Sequence, residues 1–156
     1  MESEFFHGNA LSAVDGKSRL SIPAFIRNAL VPAEPRHVYI GLDGRSPCLI
    51  VYGDSYAAYQ IEELRRIRIK SEDDPSLLDE VEDRERGLFG GGRLVCDSGG
   101  RVVLSGPMRK FGRIEDKAMF IGRGDYAEIW NPKVALEVGR ERLKLYASYY
   151  LEGGEA

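Results

Sequence analysis

The chain has 156 residues, of which 43% are hydrophobic and 30% charged, and a formal net charge of −3. That length suits one domain or two very small ones, and that composition a soluble globular protein. No run of about 18 apolar residues is present, and the opening MESEFFHGNALSAVD has neither the basic region nor the apolar core of a signal peptide, so neither a membrane span nor a secretion signal or lipid anchor is expected.

In chain order, ALSAV and RLSI flank residues 15–18, DGKS. Asp-Gly is a hairpin signal because glycine reaches φ > 0 without strain. Pro23 suits the first turn of a short helix, PAFIRNAL. VYIGL and CLIVY, joined by DGRSP, read as a second hairpin. Asp54 or Ser55 can cap a helix to about Arg68, with Ala57, Ile61, Leu64 and Ile67 along one side. Asp74-Pro75 reads as the cap and first position of a middle helix to about Arg86, with Leu77, Leu78 and Val81 facing the protein and its acids facing water.

The glycine-rich GLFGGGR at 87–93 reads as a flexible junction. RLVC and RVVL then flank DSGG, and AMFIG and YAEIW are joined by a turn containing RGD. Asn131-Pro132 starts a last helix, 132–150, with two apolar stripes: Val134, Val138, Leu145 and Tyr149, and Leu136, Leu143, Tyr146 and Tyr150. A helix apolar on two sides is expected to be sandwiched between neighbours, and a second subunit is a candidate for one of them. GGEA reads as a loose tail.

The order of elements repeats. With Asp15 placed on Asp97, Gly8 falls on Gly90, Arg19 on Arg101, Leu20 and Ile22 on Val102 and Leu104, and Ile26-Arg27 on Met108-Arg109. This is an internal duplication. The expected organisation is repeat 1 at 5–69, an acidic connecting helix at 70–86, repeat 2 at 87–150 and a tail at 151–156. A half of this size buries too little surface to stand alone. One pseudo-twofold body is therefore expected, β-rich and of the α+β class.

Charge is unevenly spread. Residues 72–86 hold eight acids and two arginines, a local charge of −6, which leaves +3 for the remainder. Both D-x-x-x-R tips and the stretches after them are basic. The arginine fork suits phosphate or the O6 and N7 of guanine, and a two-stranded β element fits the major groove of B-DNA. Asp15, Gly16, Lys17, Ser18 and Arg19, with Asp97 and Arg101, are the candidate DNA-binding residues. Arg27 and Arg109 are weaker candidates, which touch phosphate or cap the short helices that carry them. The bland alternative is that each acid and arginine simply pair across a tight turn.

DGKSRLSIPAFIR and DSGGRVVLSGPMR resemble the paired D-x-x-x-R motifs of the MraZ family, transcriptional regulators built from two SpoVT/AbrB-type units. The likeness spans roughly residues 5–150, including F-x-G at Phe6–Gly8 and LFGG. The resemblance implies a swapped-hairpin β-barrel from interlocked halves with flanking helices and a ring-shaped homo-oligomer. It implies binding to repeated double-stranded DNA sites upstream of the division and cell-wall gene cluster, in a cytoplasmic, nucleoid-associated protein. Arg19 is the principal contact it assigns. Three departures stand out, one of them His7 in place of the basic residue frequent between the opening Phe and Gly, the other two in the tips. Ser18 occupies the place where the family commonly has glycine, and Gly99 stands where the first tip has Lys17.

The remaining motifs carry no chemistry. GRGDYA at 122–127 fits G-x-G-x-x-A, but the alternating YAEIW after it reads as a strand, not the helix that a dinucleotide site needs. His7 and His37 lack a nucleophile pattern, and Cys48 and Cys96 read as reduced thiols. Tyr52 and Trp130 read as core anchors. No enzyme, metal, cofactor or small-molecule substrate is expected. The rivals are an oligomeric scaffold using the last helix and the acidic helix, and an antitoxin-like DNA binder of related fold, which the short C-terminal tail disfavours.

Overall fold

The computed structural model describes residues 4–155. In chain order it contains β1 (Asn9–Ala13), β2 (Arg19–Ser21), the one-turn α1 (Ala24–Arg27), β3 (His37–Leu42), β4 (Leu49–Tyr52), α2 (Asp54–Lys70) and α3 (Pro75–Gly90). There follow β5 (Arg93–Val95), β6 (Arg101–Val103), α4 (Gly106–Gly112), β7 (Lys117–Gly122), β8 (Ala127–Trp130), α5 (Pro132–Val138) and α6 (Glu141–Leu151). The class is α+β.

Six strands form one antiparallel sheet in the order β1-β7-β8-β4-β3-β5, and β2 pairs with β6 in a separate ribbon. Exchanging the first four strands for the last four leaves both orders unchanged. The β3–β4 and β7–β8 hairpins are as expected from sequence. The hairpins expected around the two D-x-x-x-R tips are not continuous. Val14 bridges Leu20 beside the first tip, and then the strands part. β1 runs along β7, with Leu11 opposite Met119, while β2 runs along β6, with Leu20 opposite Val102. Likewise β5 pairs with β3, Leu94 opposite Val38. Because each tip diverts the chain from sheet to ribbon, the ladders do not close into a barrel; β1 and β5 are the open edges.

Alternation along the strands builds two apolar layers. Leu49, Val51, Phe120 and Ile129 face Leu20, Ile22, Ile26, Val102, Leu104 and Met108, so the ribbon, α1 and α4 cover one face of the sheet. On the other face Ile50 and Tyr52 meet Leu64, Val81 and Leu88, while Met119 and Trp130 meet Val134, Ala135, Ala147 and Tyr150. The central strands β4 and β8 are buried along their whole length, as sheets covered on both faces require. Leu20 and Val102 are essentially inaccessible. Burying such a side chain is worth about 1.5–3 kcal/mol, so these two residues press the ribbon, and with it both tips, onto the sheet.

The acidic α3 begins as expected: Asp74 accepts from the Leu77 amide (3.3 Å), and Pro75 opens the helix. Val81 faces the core, but Leu77 is exposed. An Arg68–Glu85 ion pair joins α3 to α2, and the Tyr52 hydroxyl donates to the Leu88 carbonyl (2.7 Å). The helix runs on to Gly90, so the glycine-rich stretch is not a loose junction. A β-carbon on Gly91 would stand 1.8 Å from the Ile40 carbonyl oxygen; the missing side chain is what lets this segment lie against β3.

The last helix is not continuous either. It breaks at Gly139 and Arg140, both in extended conformation, and α6 folds back on α5. The break shifts the phase of the two stripes. Val134, Ala147 and Tyr150 are buried, whereas Leu136, Val138, Leu145, Tyr146 and Tyr149 are exposed. Of the expected tail, residue 155 is joined to α6 by the Tyr149 hydroxyl, which donates to the Glu155 carbonyl (2.6 Å), and Ala156 lies outside the described residues. Cys48 is buried, Cys96 half-buried, and both are free thiols whose acidity burial suppresses. Among the described residues no helix is long and apolar enough to cross a membrane.

Candidate nucleic-acid interface

The first tip is built by its aspartate. The Asp15 carbonyl accepts from the Ser18 amide (3.1 Å), closing a turn, and the Asp15 amide donates to the Arg19 carbonyl (3.1 Å). Asp15 Oδ1 accepts from the amides of Lys17 (2.9 Å) and Arg19 (3.0 Å), and Oδ2 accepts from Arg19 Nε (2.6 Å). One carboxylate thus holds both the loop and the guanidinium. The Arg19 amide is the largest cause that lowers the Asp15 pKa to about 2, with the Arg19 side chain and Lys17 amide adding to it. Charge-assisted bonds of this kind favour the ionised form.

The second tip repeats the plan. The Asp97 carbonyl accepts from the Gly100 amide (3.0 Å), and Asp97 Oδ1 accepts from the amides of Gly99 (2.9 Å) and Arg101 (2.9 Å). Asp97 is likewise held below its ordinary value, chiefly by the Arg101 amide. This explains the D-x-x-x-R spacing: an acid at the first position and an amide at the fifth close one loop.

The residue before each arginine is left-handed, Ser18 at φ 61° and Gly100 at φ 76°. A turn followed by one left-handed residue is a standard three-residue hairpin connection. The glycine of Asp15-Gly16 is therefore not the one the backbone needs, contrary to the sequence reading. Gly16 does not have positive φ. The demanding position is Ser18, and the glycine aligned with it in the other tip was the available signal.

The ribbon brings the tips together. Arg19 lies opposite Val103 and Arg101 opposite Ser21, two ladder steps away, or roughly 7 Å along the strand. Leu20 and Val102 point inward; Arg19, Ser21, Arg101 and Val103 share the outward face. The side chains of Arg19 and Arg101 are 35% and 37% exposed, so neither is sealed in the fold.

Their forks differ. Among the described residues nothing accepts from Arg19 Nη1 or Nη2, since only Nε is engaged. Arg101 Nη2 reaches Asp97 Oδ2 (3.1 Å), and its Nη1 reaches Asp15 Oδ2 of the other tip (3.9 Å). With Lys17 exposed on the first loop and Gly99 on the second, the first carries one net positive charge and the second none.

Arg27 and Arg109 stand behind the tips. Arg27 Nε donates to the Ile22 carbonyl (2.8 Å). Arg109 Nη2 donates to the carbonyls of Ile114 (3.3 Å) and Glu115 (2.8 Å), and Nη1 to Ser18 Oγ (2.9 Å). Neither the contact from Arg109 to Ser18 nor that from Arg101 to Asp15 was visible in the sequence, because each joins residues far apart in the chain.

No family model matches the chain. It is 31% identical over 127 residues to the transcriptional regulator MraZ of Marinomonas sp. (strain MWYL1), covering 81% of this chain and 80% of that protein. It is 32% identical over 128 residues to the protein of the same name from Idiomarina loihiensis, covering 81% and 79%. The same-named protein of Pseudomonas aeruginosa (strain LESB58) is 28% identical over 127 residues.

Proposed function

The chain belongs to the MraZ family, and from that premise we propose that it is a sequence-specific, double-stranded-DNA-binding regulator of transcription, without enzymatic activity. The observation that carries this reading is the outward ribbon face, where the Arg19 fork stands open and pre-aimed by Asp15. A fork already fixed at Nε loses less side-chain freedom on meeting phosphate or a guanine edge. Asp15, Gly16, Lys17, Ser18 and Arg19 form the primary contact, and Asp97 and Arg101 a secondary one from the same face.

The finer reading joins the halves as tandem repeats, 5–69 and 87–150 about the connecting segment 70–86, in a swapped-hairpin arrangement. The crossed pairings of β1 with β7 and β5 with β3 support it. The protein acts as a ring-shaped homo-oligomer on repeated promoter sites of the division and cell-wall cluster, at the nucleoid. The exposed Leu136, Val138, Leu145 and Tyr149 supply an apolar surface for self-association. Several tips on linked sites gain avidity of about 10²–10⁴ over one.

That same surface favours the second reading, an oligomeric scaffold. Retention on DNA separates the two. A phosphate-contacting protein binds at low salt and loses affinity steeply as salt rises, whereas a scaffold shows no retention at any salt. The assay is a mobility shift with footprinting on the bound DNA, using wild type and Arg19→Ala. Arg19→Ala is expected to abolish the shift without changing oligomer size, and unchanged binding removes Arg19 from the interface.

A further inference from the structure

We infer that Arg109, carried on α4 of the second half, is a positioning residue for the first tip: it clamps the left-handed Ser18 and so fixes where Arg19 points. The inference rests on the reading of the tips as DNA contacts and concerns how the first of them is held.

Ser18 stands at φ 61°, where a residue with a β-carbon is disfavoured. Such a conformation persists only when its surroundings over-determine it. Apart from the turn bond of its amide to the Asp15 carbonyl, the restraints on Ser18 come from the second half of the chain. Its carbonyl accepts from the Leu104 amide (2.9 Å) and its hydroxyl from Arg109 Nη1 (2.9 Å). Arg109 is itself anchored by the carbonyls of Ile114 and Glu115. Most of its donors are spent on the protein, which fits a strut better than a phosphate ligand.

The other tip has only part of this. The Gly100 carbonyl accepts from the Ile22 amide (3.0 Å), the counterpart of the first restraint. Gly100 offers no hydroxyl, and the aligned Arg27 merely lies over it, with Cδ 3.1 Å from where a β-carbon would stand. Glycine takes that conformation unaided. The serine that departs from the usual glycine is therefore matched by the one arginine placed to hold it.

The test is a double-mutant cycle read by fluorescence anisotropy on a labelled duplex selected in vitro by the wild-type protein, over a range of salt. Arg109→Ala is expected to weaken binding about tenfold, the scale of one charge-assisted hydrogen bond, with the salt dependence unchanged. In a Ser18→Gly background the same substitution should cost nothing further, because glycine needs no clamp. Arg109→Lys, which keeps the charge but not the fork, is expected to match Arg109→Ala, and it carries the cycle should the alanine variant not fold. Equal losses in both backgrounds, full rescue by lysine, or a salt slope lower by about 1, the mark of a lost phosphate contact, would overturn the clamp while leaving the DNA reading intact. If no duplex is retained by the wild type even at low salt, the DNA reading itself fails and the clamp falls with it.

Discussion

At residues 15–19 an aspartate grips one edge of an arginine and leaves its fork without an acceptor among the described residues, while at 97–101 the fork faces two aspartates. The loops have the same backbone plan and nearly the same exposure. They differ in Gly16 against Ser98, in Lys17 against Gly99 and in Ser18 against Gly100. Spacing of acid and arginine therefore sets the shape of the loop, while its neighbours decide how much positive charge it can offer. The crossed approach of Arg101 Nη1 to Asp15 Oδ2 (3.9 Å) also makes the tips unequal partners: the second turns its fork toward aspartates, the first does not.

The sharpest way to break this comparison is to remove each arginine in turn. Arg19→Ala should weaken DNA binding at least about 10²-fold when several tips act together, and Arg101→Ala about tenfold or less. Equal losses in mobility-shift titrations would show that the free forks do not set the ranking. Next in size is backbone strain. Gly100→Ser should destabilise the fold by about 1–2 kcal/mol, the cost of forcing a side chain into the left-handed region, read as a lower urea midpoint. An unchanged midpoint would deny that this position needs glycine.

A smaller effect comes from giving the second tip the charge it lacks. Gly99→Lys should steepen the salt dependence of binding by about 1 in slope, one added phosphate contact; an unaltered slope would mean that the second tip stays clear of the duplex. The smallest effect is electrostatic. The folded Asp15 titrates at about 2 against an ordinary value of 3.8. Its hold on the loop is thus complete above the ordinary value and is lost as pH falls toward 2. Followed by NMR, the Lys17 and Arg19 amides should shift with a midpoint near 2; a midpoint at the ordinary value would mean the bonds to Asp15 are not kept in solution.

Much of this was legible in the chain. Alternation gave β3, β4, β7 and β8, the Asp74-Pro75 pair gave the start of α3, and the aligned D-x-x-x-R motifs marked both tips. Strand partners were not legible, because β1 is next to β2 in sequence yet pairs with β7; local pattern cannot tell a hairpin from a strand exchange. Glycine was misleading twice. At Gly16 it suggested a backbone need that falls on Ser18, and at 87–93 it suggested looseness where Gly91 permits close packing. The apolar stripes of the last helix failed for a related reason, since a single break at Gly139 rotates everything after it. Within the site, the pairing of acid with arginine followed from the motif, while the bonds from each acid to the loop amides and the long-range contacts of Arg109 and Arg101 required the fold.

The exchange of β1 and β5 between halves bears on how the molecule is made. A ribosome releases β1 and β2 long before β7 and β6 exist, so the nascent first half waits with two unsatisfied edges and an uncovered apolar face. Assembly must await nearly the whole polypeptide, and contacts of such long range slow folding and leave the waiting chain prone to aggregate. Cutting the gene between the halves should yield two insoluble fragments that recover only when produced together.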